Sequence, residues 1–447
     1  MNFLVIILLL LSVIFIIVST VQFKLHPFLA LLFATIFYGL FSGIPLENLM
    51  NAITKGFGNT IGSIGIVIVA GTIIGTFLEK SAGAFRLAES ILRFTGKKNV
   101  PLAMGIIGYI VSIPVYCDSG FVILSPLNKA LAKKVNISLA TSAIALSLGL
   151  YTTHTMVPPT PGPIAAAGIL NADLGLVILW GVLVSIPAFI IGWLFSITVA
   201  SKIYIEPEPG ITEEYIKEKI KDAPAPFKAF LPILFPIILI VTKSVSDFPS
   251  YPLGIGNFYN IIGFLGHPVI ALIIGIFISF TLPKKFDKAM LSSSGWVGEG
   301  ILNSSIIILI TAAGGAFGQV LRESGIAEVI GGSLVNANMG IWLPFIIAAS
   351  IKTAQGSSTV AIITTASLMA PLLETLGFVS PNGIALVVVA IGAGAMVISH
   401  ANDSYFWVVT QFSGMDVKTG YKLQSLGTLV EGVSAALVVW GISLIIL

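Results

Sequence analysis

The sequence predicts an all-α polytopic membrane protein built from two inverted repeats, each of five transmembrane helices plus one re-entrant hairpin, with discontinuous helices. Three observations carry that expectation. Of the 447 residues, 56% are hydrophobic and only 10% charged, where a soluble domain carries roughly 25%. So few charges cannot coat a body of this size, and most of the outside must face lipid. Apolar runs of spanning length follow one another along nearly the whole chain, and the chain resembles itself at a shift near 240 residues. The net charge of +3 comes with no Lys/Arg block, which excludes a nucleic-acid partner, and the single cysteine, Cys117, cannot form an internal disulfide.

The first run, Phe3 to Val21, has no basic stretch before it and no small-residue cleavage site after it, so it is expected to span rather than to be removed. Further spans are expected at His26–Gly43, Thr60–Leu78, Leu139–Gly168, Leu174–Ala200, Phe230–Thr242, His267–Pro283, Gly300–Val320, Ile384–Ser399 and Ser425–Leu447. Two more apolar segments are broken halfway by polar and small residues. Pro101–Leu131 is interrupted by Cys117-Asp118-Ser119-Gly120, and Ile341–Leu373 by Gln355-Gly356-Ser357-Ser358-Thr359. Each half is too short to cross, so both segments are expected to be hairpins that enter and leave on one side.

Charge placement tests that arrangement. With both termini extracytoplasmic, all of the 23 Lys and Arg residues except Lys55, Lys243, Arg322 and Lys352 fall on the cytoplasmic side, as the positive-inside rule requires. One stretch is properly polar, Ile203–Lys228, with an amphipathic run at Thr212–Lys221. The expected organisation is an N-terminal repeat at 1–200, a cytoplasmic linker at 201–228 and a C-terminal repeat at 229–447. Within the first repeat, scaffold spans occupy 3–95, the hairpin and broken helix 100–170 and a last span 174–200. The corresponding parts of the second occupy 229–335, 341–412 and 425–447.

The repeat itself rests on collinear matches. His26-Pro27 recurs as His267-Pro268, and Gly71 to Gly75 with Leu78 to Ser81 recurs as Gly314 to Gly318 with Leu321 to Ser324. Ile144-Ala145-Leu146 with Met156-Val157 returns as Ile384-Ala385-Leu386 with Met396-Val397. An odd number of spans per half turns the second copy upside down, an arrangement associated with solute binding near the membrane midplane.

The polar groups converge there. Each hairpin is followed by a span whose helix is expected to fail: Thr152 to Pro163, with four prolines, and Ser399-His400-Ala401-Asn402-Asp403-Ser404. Non-helical backbone at membrane depth survives only where it lines a cavity or a bound solute. Keeping Asp118, Lys352 and Asp403 at mid-bilayer would cost roughly 8 to 10 kcal/mol if nothing offset it, at about 2.5 to 3.5 kcal/mol per charge. Helix starts after the tips suit a carboxylate, and the hydroxyls and amides around them suit a hydroxylated body. The expected substrate is therefore a small, hydrophilic organic anion.

Four stretches, Gly56-Phe57-Gly58-Asn59-Thr60, Val157 to Pro163, Lys352 to Thr359 and Ser399 to Ser404, closely resemble the gluconate permease (gluconate:proton symporter) family, and the resemblance covers nearly the whole chain. It implies a bacterial inner-membrane symporter that takes up gluconate or a related sugar acid with protons. Family members also carry D-serine and glycerate-like acids, and broader relatives imply a homodimer working as an elevator.

Candidate substrate-binding residues are Ser119, Gly120, Thr153, His154, Thr160, Lys352, Gln355, Gly356, Ser357, Ser358, Thr359 and Asn402; candidate proton-coupling residues are Asp118, Asp403, His154 and His400. Each has a plainer role open to it. Asp118 can cap a helix, Lys352 can neutralise an aspartate instead of a substrate, and the histidines can be satisfied core residues. His26 and His267, each before a proline, mark helix entry. No cofactor is expected; the coupling ion is H+, with Na+ as the alternative, since unwound carbonyls and hydroxyls hold it equally well. An ion antiporter without organic substrate would leave the hydroxyl-rich tips unused. No HExxH, GxSxG elbow or His/Cys metal cluster points to an enzyme.

Overall fold

The computed structural model describes residues 2–95, 99–207, 221–247, 253–326, 339–401 and 403–446, and among these it is helical throughout, with no strand. The chain runs α1 (Asn2–Val21), α2 (Pro27–Phe41), α3 (Leu46–Lys80), α4 (Gly83–Thr95), α5 (Val100–Val111), α6 (Cys117–Lys134), α7 (Leu139–Met156), α8 (Pro161–Leu170) and α9 (Leu174–Thr198). After the polar segment come α10 (Pro226–Ser246), α11 (Asn257–Leu265), α12 (Pro268–Ser279), α13 (Trp296–Glu323), α14 (Trp342–Gln355), α15 (Ser358–Met369), α16 (Pro381–Gly394), α17 (Ser404–Phe412), α18 (Val417–Gly420) and α19 (Leu426–Ile446). A five-residue π-helical stretch, Tyr421–Ser425, joins the last two.

Every stretch expected to span is helical, but the lengths differ. Among the described residues, four helical runs are long and apolar enough to cross a membrane: Leu174–Lys202, Pro226–Ser246, Lys288–Glu323 and Val417–Ile446. The pair α11–α12, bent by 66°, passes the same test jointly, as do the two segments of α3. Other helices, α1, α2, α5, α15 and α16 among them, are apolar but shorter. Other helices are wrapped by neighbours rather than exposed on the outside. All 18 residues of α7 are buried, whereas large apolar side chains such as Leu10, Leu40, Ile186, Ile238, Phe277 and Leu437 stand exposed on outer helices, as lipid-facing residues do.

Three of the breaks fall elsewhere than the polar residues alone imply. The first hairpin was expected to turn at Cys117–Gly120, yet those residues form the first turn of α6 and the chain turns at Ser112–Tyr116. Pro114 has no N–H to continue α5, and its carbonyl lies against Gly75 of α3, where a Cβ would come within 2.3 Å of it. The second turn is only Gly356-Ser357: Gln355 still belongs to α14, Gly356 takes φ +90° and the Ser357 hydroxyl caps Val360 N–H at 3.3 Å. The helix expected to fail from Thr152 holds until Met156, breaks over Val157–Thr160 and restarts at Pro161, where a proline's missing donor costs nothing. His26 does mark a helix entry, its Nδ1 accepting Phe28 N–H at 3.3 Å.

The two halves share one core. α3 runs along α13, α9 along α19, and α8 against α15. The start of the polar linker clamps α7: Ser138 Oγ donates to Ile203 O at 2.7 Å, and Leu139 N–H donates to Ile205 O at 2.9 Å. Residues 208–220, with most of the amphipathic run, lie outside the described residues. At the α5–α7 crossing, Gly149 meets Gly105 backbone to backbone. A Cβ on Gly149 would sit 2.1 Å from the Gly105 carbonyl oxygen, so Gly149→Ala must push the helices apart. It is expected to cost about 1 to 3 kcal/mol, as overpacking does, and to lower the melting temperature of the purified protein in detergent.

Candidate functional site

A cavity of about 270 Å³ opens where the chain breaks converge. Its wall takes Tyr116, Cys117 and Asp118 from the start of α6, Tyr151 and His154 from α7, Gln355 to Thr359 from the turn between α14 and α15, and Asp403 to Tyr405 from the start of α17. Three helices, α6, α15 and α17, thus begin on this one space. Each presents backbone N–H groups that no preceding turn satisfies, together with the positive end of its dipole.

Asp403 is the organising residue. Its Oδ1 caps α17 through Tyr405 N–H at 3.0 Å. Its Oδ2 accepts from Lys352 Nζ at 2.7 Å, Ser399 Oγ at 2.5 Å and Tyr151 Oη at 3.5 Å. Lys352 is wholly buried and also donates to Gly356 O at 2.5 Å, so one ammonium ties the second turn to the last break. The lysine is not part of the cavity wall.

Asp118 stands differently. Its Oδ1 is buried without a hydrogen-bond partner among the described residues, and so are His154 Nδ1 and Tyr116 Oη in the same wall. A buried polar atom left unpaired costs about 1 to 3 kcal/mol. Three of them on residues that line one polar space mark where a hydrophilic ligand would recover that cost. Gln355, Ser357, Ser358 and Thr359 add amide and hydroxyl groups on the opposite wall.

Other expected site residues are elsewhere. Ser119 faces a separate small pocket beside Thr72 and Glu79, and Gly120 packs under Leu150. The Thr153 hydroxyl donates to Tyr109 O at 2.9 Å, and that of Thr160 to Val157 O at 2.7 Å. His400 Nε2 is 2.8 Å from Thr353 O, with its ring stacked on Tyr421. Asn402 lies outside the described residues. Gly56, Gly58, Asn59 and Thr60 instead line a wider space of about 800 Å³ with Lys55 and Arg322, with no carboxylate in its wall among the described residues.

Sequence reasoning missed Tyr116, Tyr151 and Tyr405 on the wall, and Glu431, fully buried in α19. Glu431 had a signal: an acid inside the apolar run Ser425–Leu447 carries the same insertion cost as Asp118. The tyrosines had none, because an aromatic ring in an apolar helix reads as core.

Comparison with known proteins agrees with this architecture. A permease of Haemophilus influenzae with no assigned substrate is 38% identical over 451 residues, covering 97% of this chain and 89% of its own. The gluconate permease of Pseudomonas aeruginosa is 35% identical over 419 residues, covering 92% of each. In fold, the chain resembles the crystal structure of the YdaH transporter of Alcanivorax borkumensis, with a TM-score of 0.61 over 88% of each chain at 14% identity. The family model described as GntP family permease matches residues 4–445, and the chain belongs to that family of membrane permeases.

Proposed function

We propose that the protein is a secondary active transporter that takes up gluconate or a related small sugar acid with protons across the bacterial inner membrane, by alternating access around the cavity between α6, α7, α15 and α17. The observation that carries this reading is the convergence of three helix starts, unpaired Asp118 and His154 atoms, and the Gln355–Thr359 polar wall on one space of about 270 Å³. The helix starts suit a carboxylate. Amides and hydroxyls suit the polyol chain behind it.

In this reading α5–α6 and α14–α15 are the two re-entrant hairpins of inverted five-span repeats, 1–200 and 229–447, joined by a cytoplasmic linker with both termini extracytoplasmic. A homodimer moving its hairpin-bearing parts as an elevator completes the scheme. Asp118 carries the coupled proton, and Asp403, neutralised by Lys352, holds the site together. Gluconate as substrate is supported by the name of the Pseudomonas aeruginosa relative; D-serine or another small hydroxy acid would use the same groups.

Uptake of labelled gluconate into proteoliposomes under an inward proton gradient is expected to exceed the gradient-free level. Uptake driven only by a Na+ gradient would replace H+ as the coupling ion. Failure with every sugar acid and hydroxy acid, D-serine included, would remove the organic substrate.

A further inference from the structure

Glu431 is wholly buried in α19, facing α7 and α9, away from the solute cavity. Gly192 of α9 makes room for it: a Cβ there would lie 2.7 Å from Glu431 Oε1. That same oxygen is hydrogen-bonded to Thr152 Oγ1 of α7, while Oε2 has no partner among the described residues. No cation among them pairs with Glu431. The titratable groups on the elements around it are few. α7 brings Tyr151 and His154, both on the solute cavity. α9 and α16 bring none. α17 brings Tyr405, whose hydroxyl donates to Ser147 O at 3.0 Å. Beside α19 the π-helical stretch holds Tyr421, stacked on His400, and the exposed Lys422. Lys352 of α14 is committed to Asp403 and Gly356.

The protons can be counted. Thr152 has one hydroxyl hydrogen, and its oxygen lies 2.7 Å from the carbonyl oxygen of Leu148 as well as in hydrogen-bond contact with Glu431. Shared between two acceptors, one hydrogen gives each only a weakened three-centre bond. A hydrogen on Glu431 instead lets Thr152 donate fully to Leu148 and accept from the acid, giving each contact a hydrogen of its own. Ionised, Glu431 would share the single Thr152 hydrogen with Leu148 O and keep its second oxygen unpaired in the dry interior, which is costly.

We propose that Glu431 is a proton-binding site separate from the solute cavity, loaded in the conformation described and emptied in another, so that a second proton accompanies each solute. It bridges the two helices that hold the site. α7 carries Tyr151 and His154, and α19 with the π-helical stretch before it anchors the last break, with Ser399 N–H donating to Thr428 Oγ1 at 3.0 Å and Ser425 Oγ donating to Ser399 O at 2.5 Å. A movement that parts α7 from α19 removes the acceptor that stabilises the acid and admits water to take its proton. The second-proton step rests on the proton-coupled reading above; the protonation itself does not.

The test uses the full chain in lipid vesicles. Infrared spectra at neutral pH are expected to show a protonated-carboxyl carbonyl band that is missing from Glu431→Gln, a substitution that keeps a donor for Thr152. In Thr152→Val the band should persist at higher frequency, having lost its acceptor, which serves if the glutamine variant does not fold. Absence of the band from wild type, or no change in either variant, overturns the protonated state. With a pH indicator and labelled gluconate, the proton-to-solute ratio should fall by about one in Glu431→Gln, as for a lost intramembrane relay carboxyl; an unchanged ratio overturns the carried proton. If wild type moves no protons with gluconate at all, the proton-coupled reading fails together with the second proton, and the infrared band still decides whether Glu431 is the acid.

Discussion

Lys352→Met is expected to cost the folded protein about 3 to 5 kcal/mol, the range found when one partner of a buried ion pair is removed. The lysine is wholly buried, and its ammonium is the one cation paired with Asp403 among the described residues. Methionine fills a similar volume, so little of the loss comes from packing. What remains is a carboxylate held by Ser399 Oγ, Tyr151 Oη and Tyr405 N–H, three dipoles in place of a charge. The Gly356 carbonyl loses its donor too, freeing the turn that positions Ser357 and Ser358. Since total stability is about 5 to 15 kcal/mol, the single variant should lose most of its melting transition in detergent and show little uptake. Lys352→Met combined with Asp403→Asn removes both charges. It should recover much of the melting temperature, with a coupling of about 2 kcal/mol or more between the two positions. Equal melting of the single and double variants would show that the pair does not carry the structure around it.

That pair also marks how far local pattern reaches. The apolar runs located the four helical runs that, among the described residues, are long and apolar enough to cross a membrane, because lipid contact demands long uncharged segments whatever the tertiary arrangement. The breaks were legible as clusters of Pro, Gly and small polar residues, but their positions moved where a helix start tolerated them. Asp118, Ser119 and Gly120 suit a first turn as well as a loop, so the turn shifted back to Pro114. That Lys352 neutralises Asp403 rather than lining the cavity was one of two roles open to it. Choosing between them needs the 51-residue separation across which they meet. Tyr151 reaches Asp403 across 252 positions and Ser147 reaches Gln424 across 277. No periodicity encodes such partners. Glu431 was visible as a misplaced charge and went unread because it is the one charged residue of its apolar run.

Asp118→Asn in a Glu431→Gln background is expected to abolish proton-driven accumulation of gluconate while leaving gradient-free exchange largely intact. Asp403 is already neutralised by Lys352, which leaves Asp118 as the uncompensated acid of the cavity wall. A solute carboxylate about 5 Å from an ionised Asp118 would be repelled by about 3 kcal/mol at an effective dielectric of about 20. That corresponds to roughly a hundredfold in affinity. A proton on Asp118 removes the repulsion, so solute and proton favour each other by the same factor, as linkage requires. Asparagine is neutral at every pH: solute binds, but no proton binds with it, and a proton gradient has no purchase on the loaded carrier. The variant should therefore equilibrate labelled gluconate across the vesicle and exchange it at a rate within about threefold of wild type, a loss of under about 1 kcal/mol. Its KM should also lose the rise with pH that wild type is expected to show as Asp118 ionises. If the double variant still concentrates gluconate against its gradient, the coupled proton travels on a group other than these two.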